Sequence, residues 1–312
     1  MSPAEPGPDS YAHPALRFFA ATRPAFLSVT VVACLLGTGS AWSDGVAIDP
    51  LLALATLAFA LCAHAGVNVL NDVHDADADA GNRERIYPYT GGSRFIQNRI
   101  IAAPDLEKFG WALFGIVSLA GLLLSFLSGF GLVPIGLVGL FLGWAYSSPP
   151  LRLSARGLGE LAVAAGWLLI VLGADYVQRG YYDGLALAVG MPFAALVTNL
   201  LLVNEFPDWR ADAESGKRTL VVRLGRREAR WLYLVLSGIA GGWTIAALAA
   251  QLIPGACFAA LLGLVPSVQA GLVLLRQAEQ PQELVPAITG SIVAVLLFGL
   301  LLTGGLILGG AG

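Results

Sequence analysis

The chain has 312 residues, of which 56% are hydrophobic and only 12% are charged, with a net charge of −3. A mean hydropathy of +0.73 excludes an ordinary soluble domain of this length and points to an integral membrane protein. The net charge itself says little, because acidic residues contribute weakly to membrane topology.

Residues 1–16 are proline-rich and contain no Lys or Arg. They lack the basic start of a signal peptide and are predicted to be a disordered tail, ahead of one membrane domain over residues 17–309. Residues 14–22, with Arg17 and Arg23 around Phe18 and Phe19, predict a short amphipathic helix lying along the interface. Apolar runs follow at 24–42, 51–73, 106–128, 131–147, 158–178, 185–206, 229–250, 256–275 and 285–308. Each is near the ~20 residues a spanning helix needs. They lack the alternation of a β-barrel strand, so the expected fold is an all-α bundle of about nine transmembrane helices. Of the 18 Lys and Arg residues, this span map leaves only Arg179 on the side opposite the rest. That asymmetry predicts a cytoplasmic N-terminus and an external C-terminus. Cys34, Cys62 and Cys257 fall inside apolar spans without metal or redox spacing and are expected to be packing residues.

One polar pattern interrupts the apolar runs, and it occurs twice. Asn71, Asp75 and Asp79 recur every four residues, and so do Asn204, Asp208 and Asp212. At about 100° per residue, this spacing returns to nearly one side of a helix. In the first copy Asn68, Asp72 and His64 project onto the same side, whereas Asp77 falls about 180° away. In the second, Glu205 lies just outside the stripe, and Pro207 is expected to kink or end the helix. Ionisable groups at membrane depth cost about 3 kcal/mol each on insertion scales, so two matched sets imply a function. They read as a divalent-metal and phosphate site built between two related halves around a central cavity.

Aspartates and a diphosphate are both negative and need cations between them. Hard oxygen donors suit Mg²⁺, which favours carboxylates together with substrate phosphates. Lys217 and Arg218, just beyond the second stripe, add cations. For an integral membrane protein these basic loops imply anionic lipid and a diphosphate as partners rather than nucleic acid. An apolar tunnel reached from the bilayer would hold an isoprenoid tail.

The string Asn71-Asp72-Val73-His74-Asp75-Ala76-Asp77-Ala78-Asp79 resembles the first aspartate-rich motif of the UbiA superfamily of intramembrane prenyltransferases. Asn204-Glu205-Phe206-Pro207-Asp208-Trp209-Arg210-Ala211-Asp212, running into Gly216-Lys217-Arg218-Thr219-Leu220, resembles the second. Tyr146-Ser147-Ser148-Pro149-Pro150-Leu151-Arg152-Leu153 is similar to the family's tyrosine loop. The resemblance covers roughly residues 17–305. It implies a nine-helix bundle whose central cavity opens sideways to lipid. It also implies Mg²⁺-diphosphate binding on Asn71, Asp75, Asp79, Asp208 and Asp212, supported by Asp72 and Asn204 on the same stripes, and it places Tyr146 near the reacting allylic carbon. Pro150 stands where many members carry a lysine, which leaves Arg152 as the nearest cation for the diphosphate. Thr90-Gly91-Gly92-Ser93-Arg94 resembles a glycine-rich loop of some members, which would put Arg94 near the diphosphate. Lys217 and Arg218 complete the expected diphosphate contacts.

Arg156-Gly157-Leu158-Gly159-Glu160-Leu161 and the Asn204-Glu205 version of the second motif are most similar to the branch that prenylates 1,4-dihydroxy-2-naphthoate in menaquinone synthesis. The implied reaction transfers a polyprenyl group from an allylic diphosphate to a small aromatic acceptor at a bacterial inner membrane. A 4-hydroxybenzoate acceptor, as in ubiquinone synthesis, is the nearest alternative. A cation-coupled transporter is the alternative of a different class, but it needs midplane acids accessible from both sides, whereas both stripes here fall at span ends beside basic loops.

Overall fold

A computed structural model describes residues 4–310, and these residues contain helices and no strand. The helices are α1 (Pro14–Ala21), α2 (Pro24–Ser43), α3 (Pro50–His74), α4 (Ala76–Gly81), α5 (Ala103–Ser128), α6 (Leu132–Ser147), α7 (Gly159–Arg179), α8 (Gly184–Glu214), α9 (Leu220–Leu224), α10 (Arg226–Ala249), α11 (Leu264–Gln277) and α12 (Val285–Gly309). Among the described residues, eight helical segments are long and apolar enough to cross a membrane. They are α2, α3, α5, α7, α8, α10, α12 and the stretch Gly255–Gln277, in which a 3-10 helix (Gly255–Gly263) runs into α11. The shorter apolar α6 makes the ninth of the expected set. Proline opens α1, α2 and α3 at the first helical position, where the missing N–H costs nothing. Asp49 caps α3 by accepting from Leu51 and Leu52 N–H at 2.8 and 3.1 Å.

The core gathers around α8, the most buried of the long helices. Phe193 and Phe206 of α8 pack with Phe298 of α12 and Tyr233 of α10, all fully buried. By contrast most of α3 is left uncovered by protein. Its stripe of His64, Asn68, Asn71 and Asp75 faces an internal cavity instead of protein.

Two details differ from the sequence expectation. The first stripe is not one unbroken helix: α3 ends at His74, and Asp75 (φ −99°, ψ 5°) hands over to α4. Asp75 N–H still donates to the Asn71 carbonyl, and Asp79 N–H to the Asp75 carbonyl, both at 2.9 Å. The four-residue register therefore survives the bend. The second stripe lies inside a helix that neither ends nor breaks at Pro207, since α8 runs on to Glu214. One missing N–H leaves the remaining ladder able to carry the helix through.

Arg179, the lone arginine at the far end of the bundle, is buried with its charge answered. Asp175 lies at 3.1 Å and Asp44 at 2.8 Å, and the Ser40 carbonyl accepts at 3.3 Å. The predicted interfacial helix forms as α1 and leaves Leu16 and Phe19 more than half exposed. Composition predicts disorder for residues 1–16, of which 1–3 lie outside the described residues. From residue 4 onward the segment is instead held against the loop before α5. There the Glu5 carboxylate meets Arg85 at 2.7 Å and the Pro6 carbonyl accepts from Asn98 at 2.8 Å. The cysteines are free and buried or half-buried, as expected for packing residues.

Candidate active site

Both aspartate stripes line one cavity of about 250 Å³. α3 and α4 supply Asn71, Asp75 and Asp79 from one wall, and α8 supplies Asn204, Asp208 and Asp212 from the other. Lys217 ties the walls together. Its Nζ lies 3.0 Å from Asp75 Oδ2 and 3.2 Å from Asp212 Oδ1. Burial works against a charged lysine there, but the two carboxylates outweigh it and hold its pKa above the ordinary value. Asn71 Nδ2 donates to the same Asp75 oxygen at 2.7 Å, and Asn82 Nδ2 donates to Asp208 Oδ1 at 2.5 Å.

Asp79 has no cation of its own. Burial, and then the charges of Asp72 and Asp75, push its pKa well above the usual carboxylate value. Gly92 closes over it. At φ +75°, this residue occupies the left-handed region, and a Cβ there would collide with the Asp79 carboxylate. The glycine loop is thus shaped to let backbone approach the carboxylate.

The described residues hold no group of three or more His, Cys, Asp or Glu placed to bind a metal by themselves. That suits Mg²⁺, which completes its shell with water and substrate phosphate rather than with an all-protein cage. The donors are carboxylate and amide oxygens, and the buried Asn204 Oδ1 has no hydrogen-bond partner. The residues present therefore fit a divalent cation brought in with a diphosphate.

The other expected site residues divide. Tyr146, at the end of α6, lines the polar cavity and also a separate apolar one of about 260 Å³ bounded by α3, α5, α6 and α7. Its carbonyl accepts from Ser154 Oγ at 2.8 Å, which folds the following loop back onto it. Asp72 is buried behind the stripe, paired with Arg23 and accepting from Ser93 N–H at 3.2 Å. Arg94 sits outside the cavity and donates to the Asp79 carbonyl at 2.7 Å. It supports the first stripe from behind, away from the space a diphosphate would fill. Arg152 and Arg218 do not line the cavity either. Arg218 is exposed, and its N–H donates to the Ala155 carbonyl at 2.8 Å, which joins the loop after α8 to the loop after α6.

Arg23 is the cation that sequence reading placed elsewhere. It is the residue before α2, lines the cavity, and pairs with Asp72. Burial opposes its charge, yet Asp72 and Asp79 raise its pKa overall. Its position before Pro24, at the same end of the bundle as both motifs, was the available signal. Glu205 also lines the cavity, while its Oε2 accepts from Val221 N–H at 3.2 Å and steadies α9. His64 is both satisfied and exposed to the site. Its Nδ1 lies 2.8 Å from Thr30 Oγ1, and its ring meets Trp167 edge-on.

The chain is similar to known proteins along most of its length. The 1,4-dihydroxy-2-naphthoate octaprenyltransferase of Mycobacterium tuberculosis is 29% identical over 289 residues, covering 92% of this chain and 95% of that protein. The protein of the same name from Bacillus subtilis is 27% identical over 291 residues, covering 92% and 91%. Among solved structures, that of a digeranylgeranylglyceryl phosphate synthase superposes with a TM-score of 0.66 at 15% identity, covering 94% of this chain and 98% of that one. A UbiA homolog from Archaeoglobus fulgidus bound to GPP and Mg²⁺ superposes with a TM-score of 0.58 at 12% identity, covering 92% and 99%. At those identities the structures speak for the fold. The model of the UbiA prenyltransferase family matches residues 30–293, taking in both aspartate stripes, the tyrosine loop and Lys217, so this multi-pass membrane protein belongs to the UbiA prenyltransferase family.

Proposed function

We propose that this prenyltransferase is Mg²⁺-dependent and moves a polyprenyl group from an allylic diphosphate to 1,4-dihydroxy-2-naphthoate, the step that joins tail to ring in menaquinone synthesis. The observation that carries the reading is one polar cavity, walled by both aspartate stripes, that meets an apolar cavity at Tyr146. The acceptor is supported by the names of the relatives from Mycobacterium tuberculosis and Bacillus subtilis. Mg²⁺ is supported by the oxygen donor set and by the homolog bound to GPP and Mg²⁺. Membership in the family removes the support for a transporter.

The residues divide the work. Asn71, Asp75, Asp79, Asn204, Asp208 and Asp212 would hold the metal with the diphosphate. Bound there, Mg²⁺ would neutralise the diphosphate and make it a better leaving group. Lys217 and Arg23, cations facing the cavity, take phosphate oxygens as the C–O bond lengthens. Tyr146 stands where the polar and apolar spaces meet and presents its ring to the allylic carbon, whose growing positive charge an aromatic face stabilises. The electron-rich ring of the acceptor attacks that carbon. The ring carbon that forms the new bond then loses its proton, and the diphosphate departs. A proton is taken up at the neighbouring carbon as its carboxylate leaves as carbon dioxide. We also propose a bacterial inner-membrane location, with the N-terminus and both stripes on the cytoplasmic side.

The test is an in-membrane assay with Mg²⁺ and a polyprenyl diphosphate, offering 1,4-dihydroxy-2-naphthoate and 4-hydroxybenzoate in parallel and weighing the products. A decarboxylated prenyl naphthoquinol supports the reading. Prenylated hydroxybenzoate alone keeps the chemistry and overturns the acceptor.

A further inference from the structure

The polar cavity has a second neighbour. A chamber of about 610 Å³ opens beside it, a volume typical of small-molecule sites. Arg23, Phe26, Val29, Tyr89 and Leu200 line both spaces. None of these five lines the apolar cavity, which meets the polar site instead at His64, Val67, Tyr146, Val163 and Trp167. The site of chemistry is therefore reached through two different sets of residues.

The two side spaces differ in chemistry. No charged side chain lines the apolar cavity, and six glycines among its walls leave a smooth apolar surface suited to a chain. The second chamber has no glycine in its walls and presents six aromatic rings, those of Tyr11, Phe19, Phe26, Tyr87, Tyr89 and Phe95. Its single charged lining residue is Arg23. Asp72 holds one end of that guanidinium, and its Nε is buried without a hydrogen-bond partner. Aromatic faces and edges suit a flat ring, and an unanswered guanidinium N–H suits an anionic oxygen attached to it. An isoprenoid chain needs neither.

The chamber's outer wall comes from the start of the chain. Tyr11 packs on Phe95 with ring centroids 5.5 Å apart. Glu5 pins the segment by meeting Arg85 at 2.7 Å and Arg94 at 3.5 Å. α1 then covers the side with Leu16, Phe19 and Ala20, and its apolar outer face lies where an interfacial helix would meet headgroups. A planar aromatic acid prefers that same level of a bilayer, as interfacial aromatic side chains do.

We infer that this chamber, closed on its outer side by Tyr11, Leu16, Phe19 and Ala20, seats the aromatic acceptor, so that acceptor and isoprenoid tail reach the diphosphate site from different sides. The inference rests on the reading that the acceptor is an aromatic acid.

The experiment fills the chamber from two helices that carry no expected metal or diphosphate ligand there. Ser28→Phe on α2 and Ile292→Trp on α12 are assayed in membranes with Mg²⁺, a polyprenyl diphosphate and 1,4-dihydroxy-2-naphthoate. Each should raise KM for the naphthoate at least ten-fold while KM for the diphosphate stays within two-fold. Tyr11→Ala, which opens the outer wall, should shift the naphthoate KM in the same direction. An unchanged naphthoate KM in both filled variants overturns the inference, and so does a rise in the diphosphate KM alone. If one filled variant does not fold, the other decides. Should the wild-type protein prenylate 4-hydroxybenzoate and not the naphthoate, the proposed acceptor fails, and the same KM comparison with 4-hydroxybenzoate still decides the chamber.

Discussion

Lys217 Nζ lies 3.0 Å from Asp75 Oδ2, which binds the loop after the second aspartate stripe to the first stripe across the cavity. Asp212 lies 3.2 Å from the same ammonium, so a single buried cation holds two carboxylates that would otherwise repel. Replacing it with the apolar Lys217→Met leaves both acids unanswered and removes a phosphate contact. Turnover should fall at least ~100-fold, about 2.7 kcal/mol of transition-state stabilisation, with a raised KM for the diphosphate. A variant within a few-fold of wild type would remove Lys217 from the site.

The acids themselves allow a cleaner substitution. Asp75→Asn and Asp208→Asn keep size and hydrogen-bonding capacity but remove one negative charge each. Catalysis that depends on a charged oxygen donor should fall by about three orders of magnitude, comparable to the loss of a key electrostatic group. The folded fraction by size exclusion, and the melting temperature in detergent, should barely move. A large loss of folded protein with intact specific activity would instead make the stripes structural.

Arg152 and Arg218 are exposed or half-exposed and do not line the cavity, unlike Arg23. Arg152→Ala and Arg218→Ala should therefore leave the diphosphate KM within about three-fold, since exposed charges contribute little. Arg23→Met should raise it at least ten-fold. Steady-state kinetics on the three variants decide between the cation set expected from loop position and the one the fold presents.

The contrast shows which features a single sequence exposes. The two stripes are legible because helical periodicity is local: four-residue spacing puts Asn71, Asp75 and Asp79 on one side whatever packs around them. The span map is legible for the same reason, with ends within three residues of the helical segments observed, save at two places. α8 runs eight residues past the expected end, to Glu214, and the span expected from 256 starts as a 3-10 helix before α11. Arg23 and Asn82 are not legible. Their roles come from approaches between segments distant in sequence, Arg23 to Asp72 and Asn82 to Asp208. Arg218 lies off the cavity, on a loop whose path includes the tertiary hydrogen bond from its N–H to the Ala155 carbonyl, which no local pattern reveals.

Gly92 offers a test of backbone shape. Its φ of +75° favours glycine, and a Cβ would strike the Asp79 carboxylate. Gly216 has φ +80° but open space around a Cβ. Gly216→Ala should cost only the left-handed penalty, about 1–2 kcal/mol, and keep turnover. Gly92→Ala carries the same penalty and also displaces Asp79, so it should lower the melting temperature further and abolish most activity. Equal behaviour of the two variants would mean that the glycine loop does not shape the site.

Asp79 ties metal affinity to pH. Burial and the charges of Asp72 and Asp75 raise its pKa well above the usual value in the metal-free protein, so below that raised pKa its carboxyl tends to keep a proton. A divalent cation needs the carboxylate, and its binding must release that proton. The sign follows directly. Apparent Mg²⁺ affinity should strengthen as pH rises toward the folded pKa and level off above it. It should weaken as pH falls, because protons then compete for the same oxygens. Titrating activity with Mg²⁺ at several pH values in wild type and in Asp79→Asn separates this effect from general loss of activity. The wild-type activation constant should fall with rising pH, and the Asn variant should bind Mg²⁺ more weakly with a flatter profile. A wild-type activation constant that does not change with pH would show that Asp79 gives up no proton to the metal over that range, and an Asp79→Asn variant with unchanged Mg²⁺ activation would remove it from the ligand set.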